Sequence, residues 1–197
     1  MPEPKREVNE PKVMVKYVPH GVNHNIWHNI TQPERLADVA KMRERVFGGD
    51  ADKIKFVVMY NSRNIRRKMT SDIILGYRDF LRALPQHKRD ECRLLLHTQP
   101  VDENGTDLIA VLRDIAPDVR AVFSPAQLPT TELVQLYNCV DVIISMTSNE
   151  GFGIGTLEAM MTERMIIANV TGGLQDQMGF IDESGQYLDP ETHYCDG

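Results

Sequence analysis

The chain has 197 residues, a formal net charge of −6 at pH 7 and a hydrophobic fraction of 42%, enough for one well-packed α/β core. No apolar run approaches the roughly 20 residues needed to cross a bilayer, and no apolar segment follows the polar start M-P-E-P-K-R-E, so neither a transmembrane segment nor a signal peptide is expected. The acidic balance argues against a general nucleic-acid surface, and Cys92 and Cys139, beside apolar runs and far from Cys195, read as buried thiols of a reducing, cytoplasmic compartment.

Residues 1–12 form a polar lead-in, and Val13 to Val18 is a short strand candidate that ends at Pro19-His20-Gly21-Val22-Asn23. His20, His24 and His28 recur every four residues, a spacing that would line one helical face. Pro19 and Gly21 oppose a helix there, and no cysteine or carboxylate cluster completes a site, so no metal is expected. Thr31 with Glu34 three residues on reads as a capping box, with Pro33 in the first turn. Leu36, Val39, Ala40, Arg43 and Val46 follow at helical spacing until Gly48-Gly49.

Ile54 to Tyr60 is an apolar strand. Ile73, Ile74, Tyr77, Phe80, Leu81 and Leu84 predict an amphipathic helix over Thr70 to Leu84. Strands are then predicted at Cys92 to Leu96, Val119 to Phe123, Val140 to Met146 and Met165 to Val170. Helices are predicted at Asp107 to Ile115, at Thr131 to Asn138 and from Ile154. The chain closes through Gly172-Gly173 and a polar tail.

Alternating strands and helices, with strands apolar on both faces, predict an α/β three-layer Rossmann-like domain with a mainly parallel sheet. Ligands in such sheets bind beyond the carboxyl ends of the strands. Four groups lie there: the loop after Tyr60, the His97-Thr98 corner, the loop from Phe123 to Pro129, and the loop from Thr147 to Gly153. No G-x-G-x-x-G follows the first strand and no G-x-x-x-x-G-K-[ST] occurs, which argues against a nicotinamide-dependent dehydrogenase.

The stretch from Thr147 to Met161, T-S-N-E-G-F-G-I-G-T-L-E-A-M-M, joins a strand, a tight acidic loop and a helix start. A helix N-terminus is a seat for phosphate. Glu150 and Glu158 flank that seat, and carboxylates there suit the hydroxyls of a sugar or ribose better than the phosphate itself. The densest basic run, Asn61-Ser62-Arg63-Asn64-Ile65-Arg66-Arg67-Lys68, follows another strand end. Arg63 offers a fork of donors and Lys68 a compact charge for a leaving diphosphate. Arg66 and Arg67 read as solvated loop residues.

Two glutamates seven residues apart, the first followed by Gly-Phe-Gly and the second by Ala-Met, resemble the donor-site motif of the family-4 retaining glycosyltransferases, which have the GT-B architecture. Arg63 and Lys68, five apart, resemble the family's basic pair. Pro19 to Asn23, Leu136-Tyr137 before Asp141, and Thr171-Gly172-Gly173 resemble its flanking segments. The resemblance runs from about Val18 to Asp189 and implies a nucleotide-sugar-binding domain over 18–197, after a lead-in and strand start at 1–17.

It implies that Glu150 contacts the transferred sugar and that Gly151, Phe152 and Gly153 lie near sugar and diphosphate. Glu158 would hold the ribose, and Arg63 and Lys68 the diphosphate. The donor would be a nucleoside-diphosphate sugar, used without metal or other cofactor and with anomeric retention. The acceptor-binding N-terminal domain would be met in cis or in trans, and any peripheral membrane contact would run through it. The family's Gly-x-Pro turn after the motif helix is replaced by Glu163-Arg164-Met165, which weakens the expected tight turn. Two other readings share the architecture: a non-catalytic nucleotide-sugar-binding module and a sugar-nucleotide epimerase-like domain.

Overall fold

Phe56–Asn61 (β1) places successive side chains on opposite faces of the sheet, and both sets are apolar. Val57 and Met59 enter one core with Trp27, Met42, Leu136, Tyr137 and Ile143. Val58 and Tyr60 enter a second with Ile73, Ile74, Leu81, Leu94, Leu96 and Leu108. A strand buried on both faces must lie between two helical layers. The computed structural model describes residues 16, 18, 20–179 and 184–186. The lead-in, most of the Val13 to Val18 strand candidate, Pro19, His193, Cys195 and most of the tail lie outside the described residues. Lys16 and Val18 are described and are not in a strand.

The other strands are Cys92–His97 (β2), Ala121–Phe123 (β3), Val142–Ser145 (β4) and Met165–Ala168 (β5). All pairings are parallel, in the order β3-β2-β1-β4-β5. The helices are Pro33–Phe47 (α1), Thr70–Ala83 (α2), Gln86–Asp90 (α3), Leu108–Asp114 (α4), Thr130–Asn138 (α5), Ile154–Met161 (α6) and Gly173–Met178 (α7). This is the predicted three-layer α/β architecture. The first core is covered by α1 and α5, the second by α2 and α4.

Several local expectations fail for physical reasons. The capping box at Thr31 does not form. Pro33 sits at the first helical position, where its missing N–H costs nothing, so Gln32 is the N-cap and makes no side-chain bond. Thr31 then lies outside the helix and Glu34 is one position too early. α3 and α7 were not legible, because five and six residues are too few to show an apolar period. α7 is held by one fully buried side chain, Leu174. β5 is not covered on both faces: it is an edge strand, and Met165 and Ile167 are 63% and 51% exposed.

Cys92 and Cys139 are buried, and burial pushes the Cys139 thiol up to about 12. Among the described residues no helix is long and apolar enough to cross a membrane, and no three His, Cys, Asp or Glu are grouped to hold a metal ion.

The turn after α6 forms without glycine. Arg164 N donates to Ala159 O at 2.9 Å and Glu163 N to Met160 O at 3.0 Å, the paired bonds of a Schellman motif. Glu163 takes the left-handed position, at φ 58°. Its carboxylate accepts a 2.7 Å bond from Asn29 Nδ2 at the surface. A side chain in that conformation is disfavoured by roughly 1–2 kcal/mol, and the looser unfolded glycine chain returns part of this. Glu163→Gly is therefore expected to stabilise the fold by about 0.5–1 kcal/mol. Denaturant unfolding midpoints of the two proteins test this; a lower midpoint for the glycine variant contradicts it.

Candidate functional site

Strand order reverses direction between β1 and β4, since β2 and β3 lie on one side of β1 and β4 and β5 on the other. Crossovers leave in opposite directions there and open a crevice at the carboxyl ends. A pocket of about 290 Å³ occupies it. Tyr60, Asn61 and Ser62 from the end of β1 and Ile143 to Ser145 of β4 form its floor. Lys68, Glu150, Glu158 and the start of α6, Gly153 to Thr156, form its walls. The pocket therefore uses the first and last of the four predicted strand-end loops. Ser124, in the loop after β3, accepts or donates a 3.0 Å bond with His97 Nδ1. Residues of that loop line a separate pocket with Arg45 and Val46.

The basic and acidic loops are fastened to each other through backbone. The carbonyl of Arg67 accepts from Ser148 N at 2.8 Å and from the hydroxyls of Thr147 and Ser148 at 3.2 and 3.3 Å. Thr147 is fully buried, and its hydroxyl also reaches Asn149 O at 2.8 Å. The acidic loop then enters α6 through Gly153, at φ 82°. A Cβ there would overlap the Leu174 side chain, so both the conformation and the space demand glycine. Gly173 N closes the other side of the loop by donating to Glu150 O at 2.9 Å.

Lys68 and Glu150 meet across the crevice. Lys68 Nζ is hydrogen-bonded to Glu150 Oε2, and the two side chains are only 12% and 14% exposed. Arg67, read from sequence as a solvated residue, also belongs here: its Nη1 donates to Asn149 O at 2.6 Å and lies 3.6 Å from Glu150 Oε2. Arg63 points elsewhere. Its guanidinium forks onto Asp102 at 2.8 and 3.1 Å, and this partner holds the Asp102 carboxyl below its ordinary range. The structure thus brings together Lys68, Glu150, Gly153 and Glu158, while Arg63 is paired on the far side of the basic loop.

Gly151 and Phe152 lie on the outer flank of the acidic loop. They line a second pocket of about 500 Å³ with His20, Asp176 and Gln177. The rings of Phe152 and His20 are 5.1 Å apart. Gln177 braces this flank by donating to Phe152 O at 2.5 Å.

Glu158 is set by a chain of hydrogen bonds that sequence reasoning missed. Asn61 Nδ2 donates to Tyr137 Oη at 2.8 Å, and Tyr137 donates to Glu158 Oε2 at 2.9 Å. Trp27 packs edge-on against Tyr137 with centroids 5.3 Å apart. Burial, reinforced by the Glu158 charge, drives the Tyr137 phenol far above its usual range, so it stays a neutral donor. Burial also raises the Glu158 carboxyl, and the Tyr137 bond offsets part of that rise. The spacing of Leu136-Tyr137 marked a helix, but nothing in it reveals that the Tyr137 hydroxyl reaches a carboxylate 21 residues away.

The raised carboxyl has a consequence for stability. The folded state binds the Glu158 proton more tightly than the unfolded chain does. Stability is therefore lost as pH rises from the ordinary value of 4.5 through the raised one, and the cost is complete above it. Glu158→Gln has no such cost and still accepts from Tyr137. The variant is expected to melt higher than the natural protein near pH 7, by a margin that shrinks as pH falls to about 4. Melting curves at both pH values check this, and a margin independent of pH would refute the buried-charge account.

The fold and site can be set beside known proteins. Over 86% of this chain and 80% of the other, the domain superposes on the C-terminal domain of a glycosyl transferase group 1 family protein from Francisella tularensis, with a TM-score of 0.59 and 18% identity. It superposes on an Anabaena protein solved in complex with UDP-glucose, with a TM-score of 0.61 and 21% identity, over 79% of this chain and 38% of that one. A D-inositol 3-phosphate glycosyltransferase of Corynebacterium urealyticum is 35% identical over 75 residues, which are 36% of this chain and 18% of that enzyme. The chain therefore matches only a minor part of the length of that relative and of the Anabaena protein. The architecture is that of the C-terminal half of a GT-B glycosyltransferase. The model of the family described as glycosyl transferases group 1 matches residues 69–192, and the chain belongs to that family.

Proposed function

We propose that the chain is the donor-binding domain of a retaining glycosyltransferase of the family-4 type, which takes a nucleoside-diphosphate sugar. The observation that carries this reading is the pocket at the switch point. It holds a largely but not fully buried Lys68–Glu150 pair, the N-terminus of α6 and a half-buried Glu158 within one crevice. Each part suits one portion of such a donor. Glu158, oriented by Tyr137, accepts from the ribose hydroxyls. The amides at the start of α6 and the Lys68 ammonium face the diphosphate. Glu150, tied through Oε2 to Lys68, is placed to accept from a sugar hydroxyl; covalent attack on the anomeric carbon is not its role. The resemblance assigns Arg63 to the diphosphate as well, and that contact requires it to leave or share Asp102.

In the reaction the bond between the anomeric carbon and the diphosphate oxygen breaks, and its electron pair stays on the diphosphate. The acceptor hydroxyl oxygen bonds to that carbon and passes its proton to the departing diphosphate oxygen. Charge grows on the diphosphate as this proceeds, and fixed donors aimed at it supply the stabilisation. No metal is required by this scheme. The acceptor wall comes from an N-terminal domain, in cis or in trans, and transfer depends on it because acceptor placement and exclusion of water need both walls.

Two variants test the reading, with UDP, uridine and UDP-glucose as first probes, since the Anabaena protein is solved with UDP-glucose and with UDP and glucose. Removing one partner of a buried ion pair outright costs about 3–5 kcal/mol of stability, so Lys68→Gln, which can still donate to Glu150, is preferred to alanine. It is expected to weaken UDP binding about tenfold or more and leave uridine unchanged. Glu150→Gln is expected to bind UDP no less tightly, because Lys68 is released, and to bind UDP-glucose more weakly. Calorimetric titration reads both. A natural protein with equal affinity for diphosphate and nucleoside, repeated with GDP and ADP, would sink the assignment.

A further inference from the structure

Arg67 is not one of the two cations that the family resemblance selects, yet its side chain is the arginine that reaches the acidic loop. Nη1 donates to Asn149 O at 2.6 Å and stands 3.6 Å from Glu150 Oε2, the oxygen that Lys68 also holds. The backbone carbonyl of Arg67 is fastened to Ser148 N in the same loop. The chain between the two arginines cannot easily swing. Asn64 is 1% exposed, donates to Thr106 O at 2.7 Å and accepts from Thr106 N at 3.3 Å. Arg66 N donates to Asn104 O at 3.0 Å. Arg63 therefore faces Asp102 and Arg67 faces Glu150, on opposite sides of one pinned segment.

Two cations on Oε2 leave Oε1 of Glu150 as the open acceptor; among the described residues it has no hydrogen-bond partner. We infer that Arg67 is a positioning residue for the donor sugar. It holds the Asn149 peptide and the Glu150 carboxylate so that Oε1 meets a sugar hydroxyl, and it does so without contacting the diphosphate. This rests on the donor-domain reading above. The Arg67 side chain is 45% exposed, and an ion pair so exposed contributes only about 0–1 kcal/mol to folding. Its loss is thus expected to move sugar recognition more than stability.

The test compares Arg67→Ala, Arg67→Lys and, as a neighbouring surface control, Arg66→Ala. Each is titrated with UDP, GDP and ADP and with UDP-glucose, GDP-mannose and ADP-glucose, and each is melted to confirm folding. For whichever pair binds the natural protein, Arg67→Ala is expected to weaken the sugar conjugate about tenfold and the free diphosphate less than about twofold. Lysine should recover part of the loss, and Arg66→Ala should change neither. Equal losses for conjugate and diphosphate would make Arg67 a phosphate contact and overturn the inference, as would no loss at all; both leave the donor reading standing. A natural protein that binds none of the six ligands removes the donor reading, and the inference with it.

Discussion

The reversal of strand order between β1 and β4 is the constraint on which the rest of the molecule depends. With β2 and β3 on one side of β1 and β4 and β5 on the other, the connections leaving β1 and β4 diverge and cannot close over the strand ends. A crevice is left where a buried strand would otherwise be capped. The basic segment leaves β1 into that space and the acidic segment leaves β4 into it. Their charges meet at 12% and 14% exposure, in a region where an unpaired charge would be costly. The pairing of Lys68 with Glu150 is therefore a consequence of topology. Two loops forced into one crevice must bring opposite charges or none.

The parts of the structure visible in the sequence are those with many residues saying the same thing. Five successive apolar residues, Phe56 to Tyr60, make β1 readable, three successive leucines, Leu94 to Leu96, make β2 readable, and a six-residue stripe makes α2 readable, because burial acts on each residue independently. The acidic motif was legible for a different reason: its glycines report backbone geometry directly, and Gly153 does sit at positive φ where no Cβ fits. By contrast Phe80, counted in the α2 stripe, is 38% exposed. It lies at the margin of the apolar face, where periodicity does not distinguish core from rim.

What was not legible depends on single tertiary contacts. Arg67 and Arg63 are chemically alike and four residues apart, and their fates are decided by Asn64, whose amide is fixed from a loop about 40 residues downstream. Tyr137 becomes part of the site only because its hydroxyl, carried on α5, meets both the Asn61 amide at the end of β1 and the Glu158 carboxylate on α6. The turn at Glu163 shows the converse. The sequence lacks the expected glycine, yet the Schellman bonds form, because the helix end, Arg164 and Asn29 together specify the conformation. A signal carried by one residue can be overridden by its neighbours in either direction.

Met69 makes the same point at the site itself. It follows Lys68, starts α2, and is left-handed at φ 52°, a conformation disfavoured for a side chain by about 1–2 kcal/mol. α6 also begins from a left-handed residue, but there it is Gly153, which bears no such penalty. Strain of this size persists only where the surroundings over-determine the backbone. They do so here on both sides of Met69. Upstream, Asn64 and Arg66 are bonded to the loop after β2, and the Arg67 carbonyl is bonded to Ser148. Downstream, Thr70, Ile73 and Ile74 are buried in the second core. The chain must turn between these two fixed points within one residue, and the left-handed step is the turn that carries the Lys68 side chain into the crevice. The strain at Met69 and the burial of Lys68 against Glu150 are thus two results of one geometric requirement.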